Sequence, residues 1–334
     1  EQAFYLFPIT SLFGYHSYFA DAPANMSFLG RQDYENYLVS LADFPRFNRE
    51  HIALMRQGIA SGFTQQCTSM REIGAGIRAL IVDDPRASSL YQPFESMPET
   101  IPPSDSGRLR REGLERVSDS ILPAYRELLQ FFEKEYLPAC RSEAGIGSVA
   151  GGDEYYAWLV RYFTTTELSP REIHEVGLTE LARIRGEMDA IIDGLGFDGD
   201  FASFLDYLRT SPQFYARDIP ELLGRAALIA KTAEGELPRF FTLLPRGTYN
   251  IKPNPGRGSY YVSSTGDGKT PGTYFVGVAR LDSQPFFTLE SLTLHEGVPG
   301  HHLQSAIALE LDVPEFRRTV YHSAFGEGWG LYSE

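Results

Sequence analysis

The chain has 334 residues and a formal net charge of −14, from 44 acidic and 30 basic side chains. At about 150 residues per domain, that length fits two domains or one large one. With 43% hydrophobic and 22% charged residues, the composition excludes collagen-like and wholly disordered chains. No stretch reaches the ~18 apolar residues of a membrane span, and an acidic balance without a basic run argues against nucleic acid as a partner.

The chain begins at Glu1, and EQAFYLFPITSLFGYHSYF lacks the charged start and apolar core of a signal peptide. Its last residues, AFGEGWGLYSE, read as the middle of a helix with no stop signal after them. A fragment or processed form, cut at both ends, is therefore expected. Cys67 and Cys140 are too few for a disulfide framework or a thiolate zinc site, and are expected to be buried or idle thiols.

Most of the chain reads as helix. Residues 33–50 and 47–81 carry apolar side chains at three- and four-residue spacings. Residues 82–105 are rich in Pro, Ser and Asp and read as a loop. A long helix is expected over 106–136, striped by Leu114, Val117, Ile121, Leu128 and Phe132 and kinked at Pro123. GIGSVAGG at 145–152 reads as a flexible stretch before helix resumes over 155–163. The clearest helix start is Ser169-Pro170, where Glu172 completes a capping box. The stripe Ile173, Val176, Leu181, Ile184, Met188 and Ile191 then runs to Gly194. More helix is expected at 200–210 and 218–235.

The texture changes near residue 240 to a segment rich in Tyr, Val, Thr and Gly. Residues 260–264 and 273–278 read as two strands joined by a turn at Gly266-Asp267-Gly268. After Pro285 the helical pattern returns. This predicts a mainly α protein with one small antiparallel sheet. Residues 1–235 would form a helical region walling one side of a cleft, and 236–334 would carry the sheet and the helices with the chemistry.

Of seven histidines, four lie between 295 and 322. Residues 292–304 read LTLHEGVPGHHLQ, close to the His-Glu-x-x-His of helix-borne zinc peptidases but with Pro299 where the second His would stand. On an unbroken helix His295 and His302 share a face but lie ~10.5 Å apart in rise, too far for one ion. Pro299 breaks the helix at His295, while Gly297 and Gly300 tolerate unusual backbone angles. A short loop is therefore expected, with a second helix from about Gly300, bringing His301 or His302 beside His295. Glu327, between two glycines in an apolar patch, is costly to bury unpaired and is a candidate third ligand. Two His, one Glu and an open position make a catalytic zinc pattern.

HEGVPGHHLQ and FGEGWGLYSE resemble a large bacterial family of unknown function that shares HE-x-x-PGHH-x-Q and EGWA-x-Y-x-E. SPREIHEVGL, FTLLPRGTYNIKPNP and PGTYFVGVARLD also fit, so the resemblance covers most of the chain. Family members are usually much longer. The family in turn is similar to the mainly helical zinc peptidases of the oligopeptidase, angiotensin-converting-enzyme and thermostable-carboxypeptidase groups. That resemblance implies a zincin-like fold with a Zn²⁺ site of His295, His301 and Glu327, and Glu296 as general base. It prefers His301 to His302 as second ligand, since Gly300-His301 matches their Gly-His.

The expected function is a zinc-dependent metallopeptidase acting on peptides. The competing expectations keep the metal with another amide or ester substrate, or keep the fold as a non-catalytic peptide-binding module. His302 and Gln304 are expected near the ligands, and His322 is a candidate to polarise a substrate carbonyl. The strand over 273–278 is expected as a sheet edge beside the cleft. Tyr260, Tyr261 and Arg257 would line that cleft, with Arg257 receiving a substrate carboxylate.

Overall fold

The computed structural model describes residues 4–256, 258–266 and 270–334. The chain divides into two compact units, residues 1–158 and 159–334. The change of sequence texture near residue 240 falls inside the second unit.

The first unit is built on α1 (Arg31–Ser61). Tyr34, Tyr37, Leu38, Leu41, Phe44, Ile52 and Met55 recur at helical spacing and are all buried. The helix ends at Gly62, whose positive φ of 77° suits a residue without a Cβ. The helix expected to run on to residue 81 therefore stops there, and short helices follow at Cys67–Met70 and Ile73–Ala79.

A second rod comprises α2 (Pro103–Arg116) and α3 (Leu122–Phe131), each followed by a wider π-type turn, Val117–Ile121 and Phe132–Tyr136. Pro123 comes directly after the first wide turn, where the ladder is already rearranged around a missing amide. Val117, Ile121, Leu128 and Phe132 are buried as the stripe predicts. Asn48 is fully buried in α1, but it accepts from Tyr15 Oη at 2.7 Å and donates to the Ala124 carbonyl at 3.1 Å. Both halves of its amide are thus satisfied.

The cysteines are not idle thiols. Cys67 and Cys140 form a disulfide that links points 73 residues apart. The backbone joins there too, with Cys67 N–H donating to the Arg141 carbonyl at 2.8 Å and Arg141 N–H to the Gln65 carbonyl at 3.0 Å. Sequence spacing carries no signal for a pairing made only through space.

The division between units falls within α4 (Gly152–Thr164). In the second unit α5 (Pro170–Gly194) starts as expected: Ser169 Oγ accepts from Glu172 N–H, and the Glu172 carboxylate returns the bond. Its apolar stripe is not a core, because Val176, Leu181, Ile184, Met188 and Ile191 are all exposed. Next come α6 (Phe201–Thr210) and α7 (Ile219–Phe240).

The sheet has three strands, β1 (Tyr249–Asn254), β2 (Tyr260–Val262) and β3 (Gly272–Gly277), in the order β1-β3-β2. β2 pairs with β3 antiparallel, as predicted, but β1 pairs with β3 in parallel, so the sheet is mixed. β3 is the central strand, which corrects its expected place at an edge. The unpredicted β1 contains Lys252 and Pro253, and a proline is compatible with an edge strand whose amide faces away from the ladder. The turn residues Asp267 and Gly268 lie outside the described residues. Tyr274 and Val276 of β3 pack with Leu222 and Ala226 of α7 and Leu289 of α8 (Phe286–Glu296). Two more helices complete the unit, α9 (His301–Glu310) and α10 (Ser323–Ser333). Between them Pro314 precedes the short helix Glu315–Thr319.

Candidate metal centre

His295 and Glu296 are the last two residues of α8. The next four residues fold back on the helix end through a cis Val298-Pro299 bond. Gly297 N–H donates to the Thr293 carbonyl and Gly300 N–H to the Leu294 carbonyl, both at 2.9 Å. A Cβ at Gly300 would sit 1.9 Å from the His295 carbonyl oxygen, so only glycine fits this close return. Val298 is buried, and Trp329 Nε1 of α10 donates to the Pro299 carbonyl at 2.7 Å. Immediately after, α9 begins at His301. The loop read from Gly297, Pro299 and Gly300 thus brings the start of α9 back beside the end of α8.

His295 and His301 meet edge to face, their ring centroids 4.6 Å apart. Glu327, on α10, faces both. Its Oε2 is 3.5 Å from His295 Nε2 and 3.7 Å from His301 Nε2. One donor atom from each of the three residues lies within 4.8 Å of the others. Ligands about 2.0–2.2 Å from a tetrahedral zinc stand about 3.3–3.6 Å from one another, so the two His–Glu distances are close to the separation of such ligands. The two imidazoles are 14% and 15% exposed and the carboxylate 54%, which leaves the carboxylate side open to water. Among the described residues no arginine pairs with Glu327; its Oε1 accepts from Tyr321 Oη at 2.5 Å.

His302 points elsewhere. It is 2% exposed, with Nδ1 2.8 Å from Tyr261 Oη and Nε2 3.2 Å from the Gly247 carbonyl. Both ring nitrogens are engaged, so His301 is the imidazole that joins His295. The role of His302 is to tie α9 to β2 and to the segment before β1. The Tyr261 phenol reaches it across Gly272, where a Cβ would lie 2.0 Å from the Tyr261 oxygen.

Glu296 is 6% exposed, next to the cluster. Burial pushes its carboxyl up to about 7; the His295 ring opposes that shift, the Glu327 carboxylate adds to it, and the Tyr261 backbone N–H opposes it again. Burial also lowers both His301 and His302, favouring the neutral imidazole that a metal ligand must present.

The remaining candidates spread out. Gln304 Nε2 donates to the Phe325 carbonyl at 3.2 Å and so joins α9 to α10. Tyr260 is exposed and stacks on Phe275, 5.0 Å between centroids. His322 lies exposed at the start of α10, outside the donor group. Arg257 lies outside the described residues.

Sequence reasoning passed over Glu334 and Gly330. Glu334 Oε1 is 2.8 Å from His295 Nδ1. A Cβ at Gly330 would come within 2.6–2.9 Å of the His295 ring, so the imidazole lies directly against that glycine. The signal was available in the spacing: Glu327, Gly330 and Glu334 stand at i, i+3 and i+7, one face of a helix.

The chain belongs to the bacterial family described as “Bacterial protein of unknown function (DUF885)”, whose profile matches residues 1–334. No curated protein matches the sequence. Among solved structures it is similar to “the putative lipoprotein from Colwellia psychrerythraea”, with a TM-score of 0.89 and 26% identity over 98% of this chain. It also shares the fold of a so-described lipoprotein of unknown function from Shewanella oneidensis, with a TM-score of 0.60 and 14% identity over 97% of this chain. The chain spans only 58% and 59% of the length of those two proteins.

Proposed function

We propose that the cluster is the zinc site of a hydrolase, a metallopeptidase cleaving peptides in a zincin-like helical core. The observation that carries this reading is the convergence of His295 Nε2, His301 Nε2 and Glu327 Oε2. Glu327 Oε2 stands 3.5 Å and 3.7 Å from the two imidazole nitrogens, wider than the ~2.9 Å of a hydrogen bond and close to the spacing of zinc ligands. With the His295 proton on Nδ1 toward Glu334, two lone-pair bearers confront each other, which a cation resolves. Zinc held there supplies Lewis acidity, polarising a carbonyl and acidifying water.

The protein's own groups supply the rest. Glu296, buried with a raised proton affinity, takes a proton from the attacking water on a carboxylate oxygen and passes it to the leaving nitrogen. The exposed flank at Glu327 is the side from which a substrate can approach. Tyr321 holds the second oxygen of Glu327, leaving Oε2 for the ion.

The test is elemental analysis of the purified, zinc-exposed protein beside His295→Ala, Glu327→Ala and Glu296→Gln. The expected result is about one zinc per chain, lost in the first two variants and kept in the third, whose peptide turnover falls ~10²–10⁴-fold. A folded protein that takes up no zinc sinks this reading and leaves His295 as the hub of an ion-pair network with Glu327 and Glu334.

The Cys67–Cys140 disulfide and the lipoprotein descriptions of the two similar structures support an oxidising compartment outside the cytoplasm as the place of action. Peptide mapping of protein from its native host then finds Cys67 and Cys140 joined; both recovered as free thiols from the folded protein contradict it.

A further inference from the structure

Resting on the zinc reading above, we propose that Glu334 is a positioning residue that fixes the tautomer and orientation of His295. α10 presents a carboxylate at Glu327 and a gap at Gly330, and Glu334, the residue that directly follows the helix, brings a second carboxylate to the His295 ring. The His295 imidazole occupies that gap, with Nδ1 2.8 Å from Glu334 Oε1 and Nε2 turned toward Glu327 Oε2 at 3.5 Å. The helix and its C-cap residue thus meet the two ring nitrogens. Glu334 is outside the donor group itself, because it bonds the nitrogen that faces away from it. An ionised carboxylate accepts but cannot donate, so this contact requires a proton on Nδ1. The lone pair is then on Nε2, aimed at the ion. The same contact raises the basicity of the ligand nitrogen. The lack of a side chain at Gly330 is what lets the ring lie between the two acids.

The experiment measures zinc affinity by chelator competition in the full natural chain, for wild type, Glu334→Gln, Glu334→Ala and His295→Ala. It is read with thermal unfolding and long-range ¹H–¹⁵N spectra of the zinc-loaded wild type. The expected results are a 10–100-fold weaker affinity in Glu334→Ala and a milder loss in Glu334→Gln, whose amide oxygen still accepts the Nδ1 proton. Melting stays unchanged in both, and the spectra show a slowly exchanging Nδ1 proton on His295. Wild-type affinity in Glu334→Ala overturns the proposal. So does an equal loss in both Glu334 variants together with a lowered melting temperature, which marks a merely structural role. If Glu334→Ala fails to fold, the wild-type spectrum decides alone, since an His295 ring protonated on Nε2 or lacking a protected Nδ1 proton refutes it. Failure of the zinc reading is separate: there the wild type binds no zinc, or His295→Ala binds it as tightly as wild type does.

Discussion

The two units use the same helical pattern to different ends. In the first, the stripes of α1 and of the α2–α3 rod meet in one aromatic-rich core that holds Tyr34, Phe44, Phe94, Tyr125 and Phe132 at almost no exposure. In the second, the stripe of α5 is open to water, and the buried apolar residues form two small clusters, around Tyr274 and around Leu237, Val298 and Leu303. The buried polar groups differ as well. Asn48 in the first unit has a partner on each half of its amide, whereas Nδ1 of buried His16 has none among the described residues. In the second, Nε2 of His295 and of His301 and Oε2 of Glu327 converge without a hydrogen bond among them. Periodicity therefore predicts a helix, but burial is decided by what is available to cover it.

The contrast can be attacked from the side of stability first. Phe132 is fully buried and stacks on Tyr136, 5.6 Å between centroids. Phe132→Ala is expected to cost about 3–5 kcal/mol in denaturant unfolding while zinc affinity of the folded protein stays at the wild-type value. A zinc affinity that falls in step with stability would erase the division of labour.

A smaller effect comes from His16, which is 6% exposed and whose Nδ1 has no partner among the described residues. Burial lowers its pKa to about 4. The unfolded chain binds that proton more readily, near pH 6.5. The stabilising contribution is thus complete above pH 6.5 and is lost as the pH falls toward 4. The window is worth about 3 kcal/mol. The pH dependence of unfolding across that window should flatten in His16→Leu, and an unchanged slope would show that His16 binds its proton as readily in the native state as in the unfolded chain.

The finest probe is Gly330→Ala. On an exposed helix this change should stabilise by about 1 kcal/mol. Here the new methyl would meet the His295 ring at 2.6–2.9 Å. The expected outcome is a zinc affinity at least ~10-fold weaker with little change in melting. A variant that binds zinc as tightly as wild type would mean that His295 does not lie against α10 in solution.

Local signals were legible in the sequence, and through-space ones were not. The Ser169 cap, the β2–β3 pair and the helix break at Gly297–Gly300 each follow from a few adjacent residues whose steric demands are unambiguous. The β1 strand was hidden because its parallel pairing to β3 is non-local and Lys252 and Pro253 weaken its pattern. The disulfide was hidden because nothing in the spacing of Cys67 and Cys140 reports their proximity. At the site, residue types and the broken helix pointed to His295, Glu296 and Glu327. The choice of His301 over His302 came from resemblance, and its physical reason lies in partners 55 and 41 residues away, Gly247 and Tyr261. Glu334 went unread because a glutamate two turns along a helix is ordinary until an imidazole is found lying against the same face.

The bond from Trp329 to the Pro299 carbonyl has a thermodynamic consequence. Trp329 stands two residues after Glu327, and Pro299 lies between His295 and His301, so one indole clips together all three arms of the triangle. The arrangement is set when the polypeptide folds, before any ion arrives, and the entropy of ordering the arms is lost at that earlier stage. If the cluster holds an ion as proposed, the ordering cost is already met in the fold, and binding would favour ions that match a fixed spacing.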